Sequence, residues 1–245
     1  MDRNFKITPP FFEIGPKAFL YGKKALELAK FADEVSLKYR VQIIFTPQYV
    51  DIYQISRACS NLLVFAQHMD SLPVGRGVGS VLPEAIKEAG AKGVLLNHVE
   101  KKLPMPEIKK TIARADEVGL ASMVCAGDLP EVIEIAGMKP NIVLAESPAL
   151  IGTGKRSQSD QDAVERINRT VHQIDPAIHV LHGAGIASEK DVYDIIALGA
   201  EATGSTSGIM NAEDPFGMLE QMIKAVREAW DVTPHVKDVQ YDRIS

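Results

Sequence analysis

Eight short apolar runs punctuate this chain, each trailed by a longer stretch of mixed charge, at a spacing of roughly 30 residues. The clearest are VQIIF (41–45), LLVFA (62–66), GVLL (93–96), ASMVC (121–125), NIVLA (141–145) and IHVLH (178–182). Two weaker runs, FFEI (11–14) and AEAT (200–203), complete the set. Most of these residues are apolar without alternation, as in strands buried on both faces. Helical patterning occupies residues 22–38, 82–89, 106–118, 161–173, 188–198 and 215–230, with Ser188 as a natural N-cap. A strand-then-helix succession predicts an α/β fold with a parallel sheet, and eight units predict a closed (β/α)8 barrel. A doubly wound open sheet is the alternative, but it ordinarily needs fewer strands and a crevice where strand order reverses. No linker or low-complexity break divides the chain, so residues 1–245 read as a single domain. Residues 231–245 form a C-terminal tail with few apolar side chains.

Composition narrows the class of function. Of the 245 residues, 46% are hydrophobic and 24% charged, enough to bury a core without metal or disulfide staples. A formal net charge of −5 gives no reason to expect nucleic acid or an acidic membrane as partner. The start, Met1-Asp2-Arg3-Asn4, lacks the apolar stretch of a signal peptide, and no apolar run is long enough to span a bilayer. Cys59 and Cys125 sit among apolar or small neighbours without CxxC spacing, which reads as core thiols in a reducing cytoplasm. No two histidines have the spacing of a helical metal site, so neither metal nor cofactor is expected. His68, at the end of the third strand, reads either as a site residue or as a loop residue, His172 as a helix-surface residue, and His182 as the end of the seventh strand, near the site but a weaker candidate than the Gly-Ala-Gly after it.

Chemistry in such a barrel sits in the loops that follow the C-terminal ends of the strands. Those positions hold Gly15-Pro16-Lys17, Asn97-His98-Val99-Glu100, Glu146 with Gly152-Thr153-Gly154 beyond it, Gly183-Ala184-Gly185, and Gly204-Ser205-Thr206-Ser207-Gly208. A lysine, a histidine and a carboxylate from three different strands therefore converge on one mouth. Successive amides in Gly-rich turns make an anion nest, and the loops after the last two strands are the usual phosphate cradle. A carboxylate held out of water is a stronger base, suited to taking a proton from a carbon next to a carbonyl. A neutral histidine and an ammonium stabilise the enediolate oxygen that forms. Taken singly, each of these residues is ordinary; the combination points to proton abstraction on a small phosphate ester. Gly75-Arg76-Gly77-Val78-Gly79 reads as a tight loop after the third strand, at a contact between subunits.

The stretches GVLLNHVEKK (93–102), LAESPALIGTGK (144–155) and HGAGI (182–186) resemble the triosephosphate isomerase family in its shorter, archaeal-like form, and VLPEAIKEAGAKGVLLNH (81–98) resembles that branch closely. The resemblance runs from about Phe12 to Trp230 and implies a TIM barrel. By position it implies that Lys17 binds and polarises the substrate and that His98 is the electrophile. It further implies that Glu100 pairs with the lysine and that Glu146 shuttles the proton. Residues 147–157 match a lid whose Gly152 amide contacts the phosphate. Gly183, Ala184 and Gly185 match one phosphate loop, and Thr206 and Ser207 the other. A lid beside the base expels water and protects an enediolate phosphate that otherwise loses its phosphate. The implied substrate is a small phosphorylated sugar, and the implied assembly a homodimer or homotetramer.

Departures from the family's pattern matter too. The family usually carries Asn where this chain has Gly15, Ser where it has Val99, Pro where it has Ser147, and Thr where it has Val78. Loss of one oxyanion donor typically costs about 3 kcal/mol in the transition state. The leading expectation is therefore aldose–ketose isomerisation of glyceraldehyde 3-phosphate and dihydroxyacetone phosphate. The room vacated at Gly15 makes a tetrulose phosphate the alternative substrate, and a non-catalytic phosphate-binding barrel the alternative of another class. An epimerase on the same barrel would want metal ligands at several strand ends, which the sequence does not offer.

Overall fold

The apolar runs pair in chain order, all parallel: β1 (Phe11–Ile14), β2 (Gln42–Phe45), β3 (Leu62–Ala66), β4 (Gly93–Leu96), β5 (Ala121–Ala126), β6 (Ile142–Ala145), β7 (His179–His182) and β8 (Ala202–Gly204). β8 returns to β1, with Phe12 opposite Thr203 and Glu13 opposite Gly204, and the sheet closes into a barrel. This is the computed structural model of the chain, and it describes residues 5–146, 158–183 and 185–233. The expected (β/α)8 barrel is what forms.

Strand periodicity divides the buried side chains into two layers. Phe11, Ile44, Phe65, Leu95, Met123, Ile142, Leu144 and Leu181 fill the barrel interior. Their neighbours Phe12, Ile43, Val64, Val94, Val143 and Val180 point outward and pack under the helices. Both faces are therefore apolar, which explains the unbroken hydrophobic runs.

The outer ring comprises α1 (Gly22–Tyr39), α2 (Ile52–Ala58), α3 (Pro83–Glu88), α4 (Met105–Val118), α5 (Leu129–Gly137), α6 (Gln158–Ile174), α7 (Glu189–Ala197), α8 (Ser207–Met210) and α9 (Pro215–Val232). Six of these match the helical patterning. α2, α5 and α8 were not anticipated, because each is short, although α5 starts with a readable signal. Asp128 caps it by accepting from the Glu131 amide at 2.9 Å, and a proline opens its first turn. The last strand begins two residues later than its run suggests, at Ala202. Asp231 and Val232 belong to α9, so the expected tail is shorter than drawn; residues 234–245 lie outside the described residues.

Ser188 does cap α7. Its hydroxyl accepts from the Asp191 amide while the Asp191 carboxylate accepts from the Ser188 amide, a reciprocal capping box. Replacing Ser188 with Ala removes one side of it. The variant is expected to lose about 1 kcal/mol of stability, read as a lowered midpoint in denaturant unfolding, with turnover unchanged.

Candidate active site

Lys17 lies three residues beyond β1, and its backbone occupies the left-handed region at φ 46°. Such a conformation costs a non-glycine residue on the order of 1–3 kcal/mol unless its surroundings impose it. Here they do: the side-chain amides of Gln48 and Gln67 both donate to the Lys17 carbonyl, at 2.7 and 3.0 Å. Gln67 also donates to the Thr46 carbonyl at 3.0 Å, so the ends of β2 and β3 grip the loop after β1. The ammonium is thereby aimed across the mouth at Glu100, Nζ to Oε1 2.7 Å. That hydrogen bond, ahead of other influences, holds the Glu100 carboxyl below the usual range. Both side chains are partly exposed, so the pair adds little stability. What it supplies is position.

His98 is placed by Asn97, a buried residue at φ 59°. The Asn97 amide donates to the Cys125 carbonyl and to Glu131 Oε1, both at 2.9 Å, and its oxygen accepts from the Leu103 amide at 3.0 Å. His98 then caps a single 3-10 turn over Val99–Lys101. Its Nδ1 lies 3.1 Å from the Glu100 amide nitrogen. A backbone N–H can only donate, so Nδ1 is the acceptor and the neutral ring carries its proton on Nε2. Burial, followed by the nearby Lys17 charge, pushes the His98 pKa down. The imidazole is a neutral N–H donor.

Glu146 follows β6 and continues its inward alternation after Ile142 and Leu144. Burial raises its pKa, with the Lys17 charge opposing. Glu146 Oε2 stands 3.6 Å from His98 Nε2. This is longer than a hydrogen bond, so base and donor stand side by side without satisfying one another. Both line a cavity of about 240 Å³ together with Lys17, Glu100 and Thr206. The structure thus brings the four expected polar residues to one mouth.

The phosphate-loop residues divide. A side chain added at Gly183 would come within 3.3 Å of Glu146 Oε1, which places that backbone against the base. Gly185 has φ 76°. Thr206 donates to the Gly15 carbonyl at 2.8 Å, and Ser207 opens α8. Gly152 and Ala184, and the whole segment 147–157, lie outside the described residues. His182 points away from the cavity, its Nε2 2.8 Å from Asn168 Oδ1 on α6, as the outward phase of β7 requires. His68 Nε2 lies 3.3 Å from Asp70 Oδ1. His172 is only 25% exposed, with its Nε2 3.9 Å from Glu201 Oε1, rather than on an open helix surface. The Gly75–Gly79 loop is exposed, Val78 completely so. Among the described residues no cluster of three or more His, Cys, Asp or Glu is arranged to hold a metal ion.

Comparison with known proteins agrees with this geometry. Residues 17–225 match the family model described as triosephosphate isomerase. The chain is 39% identical over 229 residues to the triosephosphate isomerase of Sulfurisphaera tokodaii, covering 92% of this chain and 99% of that one. It is 38% identical over 232 residues to that of Sulfolobus acidocaldarius, covering 92% and 98%. Against that of Methanosarcina barkeri it is 37% identical over 220 residues, covering 89% and 99%. The chain belongs to the triosephosphate isomerase family.

Within that family assignment, β1 itself holds a residue that sequence reading missed. Glu13 is, among the described residues, the one Asp, Glu, Lys or Arg inside the eight strands. It has the inward phase of Phe11 and lines the cavity. Burial pushes its pKa up to about 7, with the Thr46 hydrogen bond opposing, Glu146 adding and Lys17 opposing. Thr46 Oγ1 donates to its Oε1 at 2.7 Å. The signal was available: an acid at an inward position of an otherwise apolar strand. Its presence also corrects the expectation that Gly15 leaves room for a longer substrate. A Cβ at Gly15 would lie 2.8 Å from Glu13 Oε1 and 3.0 Å from Thr46 Oγ1, so the vacated space is already filled.

The hydrogen bond at His98 Nδ1 fixes an observable. Nitrogen-15 NMR of the histidine ring is expected to show His98 as the neutral Nε2–H form at neutral pH. Its titration should fall below the ordinary 6.5. An Nδ1–H form, or a pKa above that value, contradicts the assignment.

Proposed function

We propose that the chain interconverts glyceraldehyde 3-phosphate and dihydroxyacetone phosphate through an enediolate. The family assignment supports aldose–ketose isomerisation of a triose phosphate. What carries the residue roles is that His98 Nε2 and Glu146 Oε2 stand 3.6 Å apart on the wall of one cavity, with Lys17 beside them.

In this reading Glu146 takes the proton from the carbon next to the carbonyl and returns it to the neighbouring carbon. Its raised pKa matches the task, since a base held out of water gains proton affinity. His98, neutral, donates its Nε2–H to the oxygen on which charge develops. A neutral donor keeps its proton, so it serves each oxygen of the enediolate without being consumed. Lys17 supplies the positive charge that draws the phosphorylated substrate in, and Glu100 holds that charge in place. The amides of Gly183 and Gly185, with those near Thr206 and Ser207, are read as the phosphate cradle. Gly152 and Ala184 are proposed as part of it on the resemblance of their motifs.

Two broader readings go with this one. We read the functional unit as a homodimer or homotetramer. Support comes from exposed apolar side chains on the loops beyond β1 to β3, including Tyr21, Val50, Val74 and Val78. A reducing, cytoplasmic setting is favoured by two buried free thiols, Cys59 and Cys125. No helix of the described residues is long and apolar enough to cross a membrane.

The test is turnover of triose and tetrulose phosphates by the wild type and by Glu146→Gln. Glu146→Gln is expected to lose about 10³-fold in kcat while binding substrate nearly normally. Unchanged turnover in that variant would sink the assigned base, and preference for the tetrulose would sink the assigned substrate.

A further inference from the structure

Glu13 is an acidic side chain built into the floor of the cavity with unusual accommodation. Its carboxyl sits between two glycines on neighbouring elements. Oε1 occupies the space a side chain on Gly15 would need, at 2.8 Å, and Oε2 lies 3.1 Å from where one on Gly204 would begin. Strand register makes Gly204 its direct partner across the closing seam of the barrel. A side chain at Gly15 would meet the carboxyl first, while one at Gly204 would first meet the Glu13 backbone carbonyl at 2.8 Å, so the acid is closely fitted between β8 and the loop after β1. A carboxyl in this place with no task would be costly, because burial disfavours its charge and one hydroxyl is a thin compensation.

Its surroundings say which form is useful. Lys17 is the nearby cation, already bonded to Glu100. Glu146, from β6, shares the cavity and must be an anion to accept a proton, and His98 is neutral. From β5 the Cys125 thiol feels both Glu13 and Glu146, and burial keeps it protonated. A second free carboxylate here would repel Glu146, the substrate's phosphate and the developing enediolate alike. The acid form does the opposite. Thr46 Oγ1 donates to Oε1, which leaves Oε2 to carry the proton.

We infer that Glu13, as a neutral carboxylic acid, hydrogen-bonds to an enediolate oxygen of the substrate from the β1 side of the cavity, a donor that acts beside His98 and fills the place left without a side chain at Gly15. The proton stays on Glu13 throughout; the carbon-bound proton goes to Glu146. This rests on the isomerase reading for the identity of the oxygen, but the contact itself is testable by binding alone.

The experiment compares wild type, E13Q and Glu13→Leu in two measurements. One is isomerisation of glyceraldehyde 3-phosphate between pH 6 and 9. The other is calorimetric binding of 2-phosphoglycolate, whose planar carboxylate imitates the enediolate, over the same range. Because the acid form is the productive one, wild-type kcat and analogue affinity should fall as pH rises through about 7. E13Q keeps a donor that does not titrate, so it should stay within tenfold at pH 6 and lose that fall. Glu13→Leu should lose on the order of 10²–10³-fold in kcat and bind the analogue at least tenfold more weakly. If E13Q follows the wild-type pH dependence in both measurements, or if Glu13→Leu matches wild type within threefold, the inference is overturned. Should the leucine variant not fold, the near-isosteric E13Q decides by its pH dependence. Wild type that binds the analogue in a Glu13-dependent manner yet turns over no triose phosphate would support the contact while defeating the isomerase reading.

Discussion

Closure of β8 onto β1 is the constraint from which the site follows. Parallel pairing fixes which residues stand side by side around the ring, and the two-residue period fixes which of them face inward. Lower inward positions are taken by Phe11, Phe65, Leu95 and Met123, which make the interior solid. The next inward positions upward are polar or bare: Glu13, Thr46, Gln67, Glu146, Gly183 and Gly204. A dry plug with a polar cap is thus one continuous pattern along the strands. The chain needs no separate insertion to build its cavity.

Within that cap, charge is distributed rather than cancelled. Lys17 is bound to Glu100 at the partly exposed rim, while Glu146 lies deeper and meets only the more distant field of that ammonium. Rim and floor therefore behave differently. At the rim, a carboxyl is held acidic by a direct hydrogen bond; on the floor, burial pushes carboxyls toward neutrality. One fold holds acids of opposite temperament within one cavity because a bonded ammonium lowers one while burial raises the others.

Much of this was readable from the residues. Unbroken apolar runs announced strands covered on both faces, and Lys17, His98, Glu100 and Glu146 stood at the expected ends of β1, β4 and β6. The assignments that slipped have physical causes. α2, α5 and α8 are too short for their periodicity to stand out, although Asp128 and the following Leu-Pro pair mark the start of α5. Glu13 escapes the rule that site residues follow the strands, because it sits inside one. Gln48 and Gln67 bond to a backbone carbonyl, and no spacing rule signals a contact between loops 31 and 50 residues apart. Whether His182 faced the cavity depended on its phase along β7, which only the register settles.

The grip of two amides on the Lys17 carbonyl carries a consequence for how this enzyme family member can vary. Both glutamines line the cavity, and each offers the Lys17 carbonyl an N–H where only a donor is tolerable. Exchange of either for glutamate would set an oxygen against an oxygen and let the left-handed turn relax. Freedom to drift in the loops beyond β2 and β3 is therefore narrow: they act as the mounting on which the ammonium is aligned.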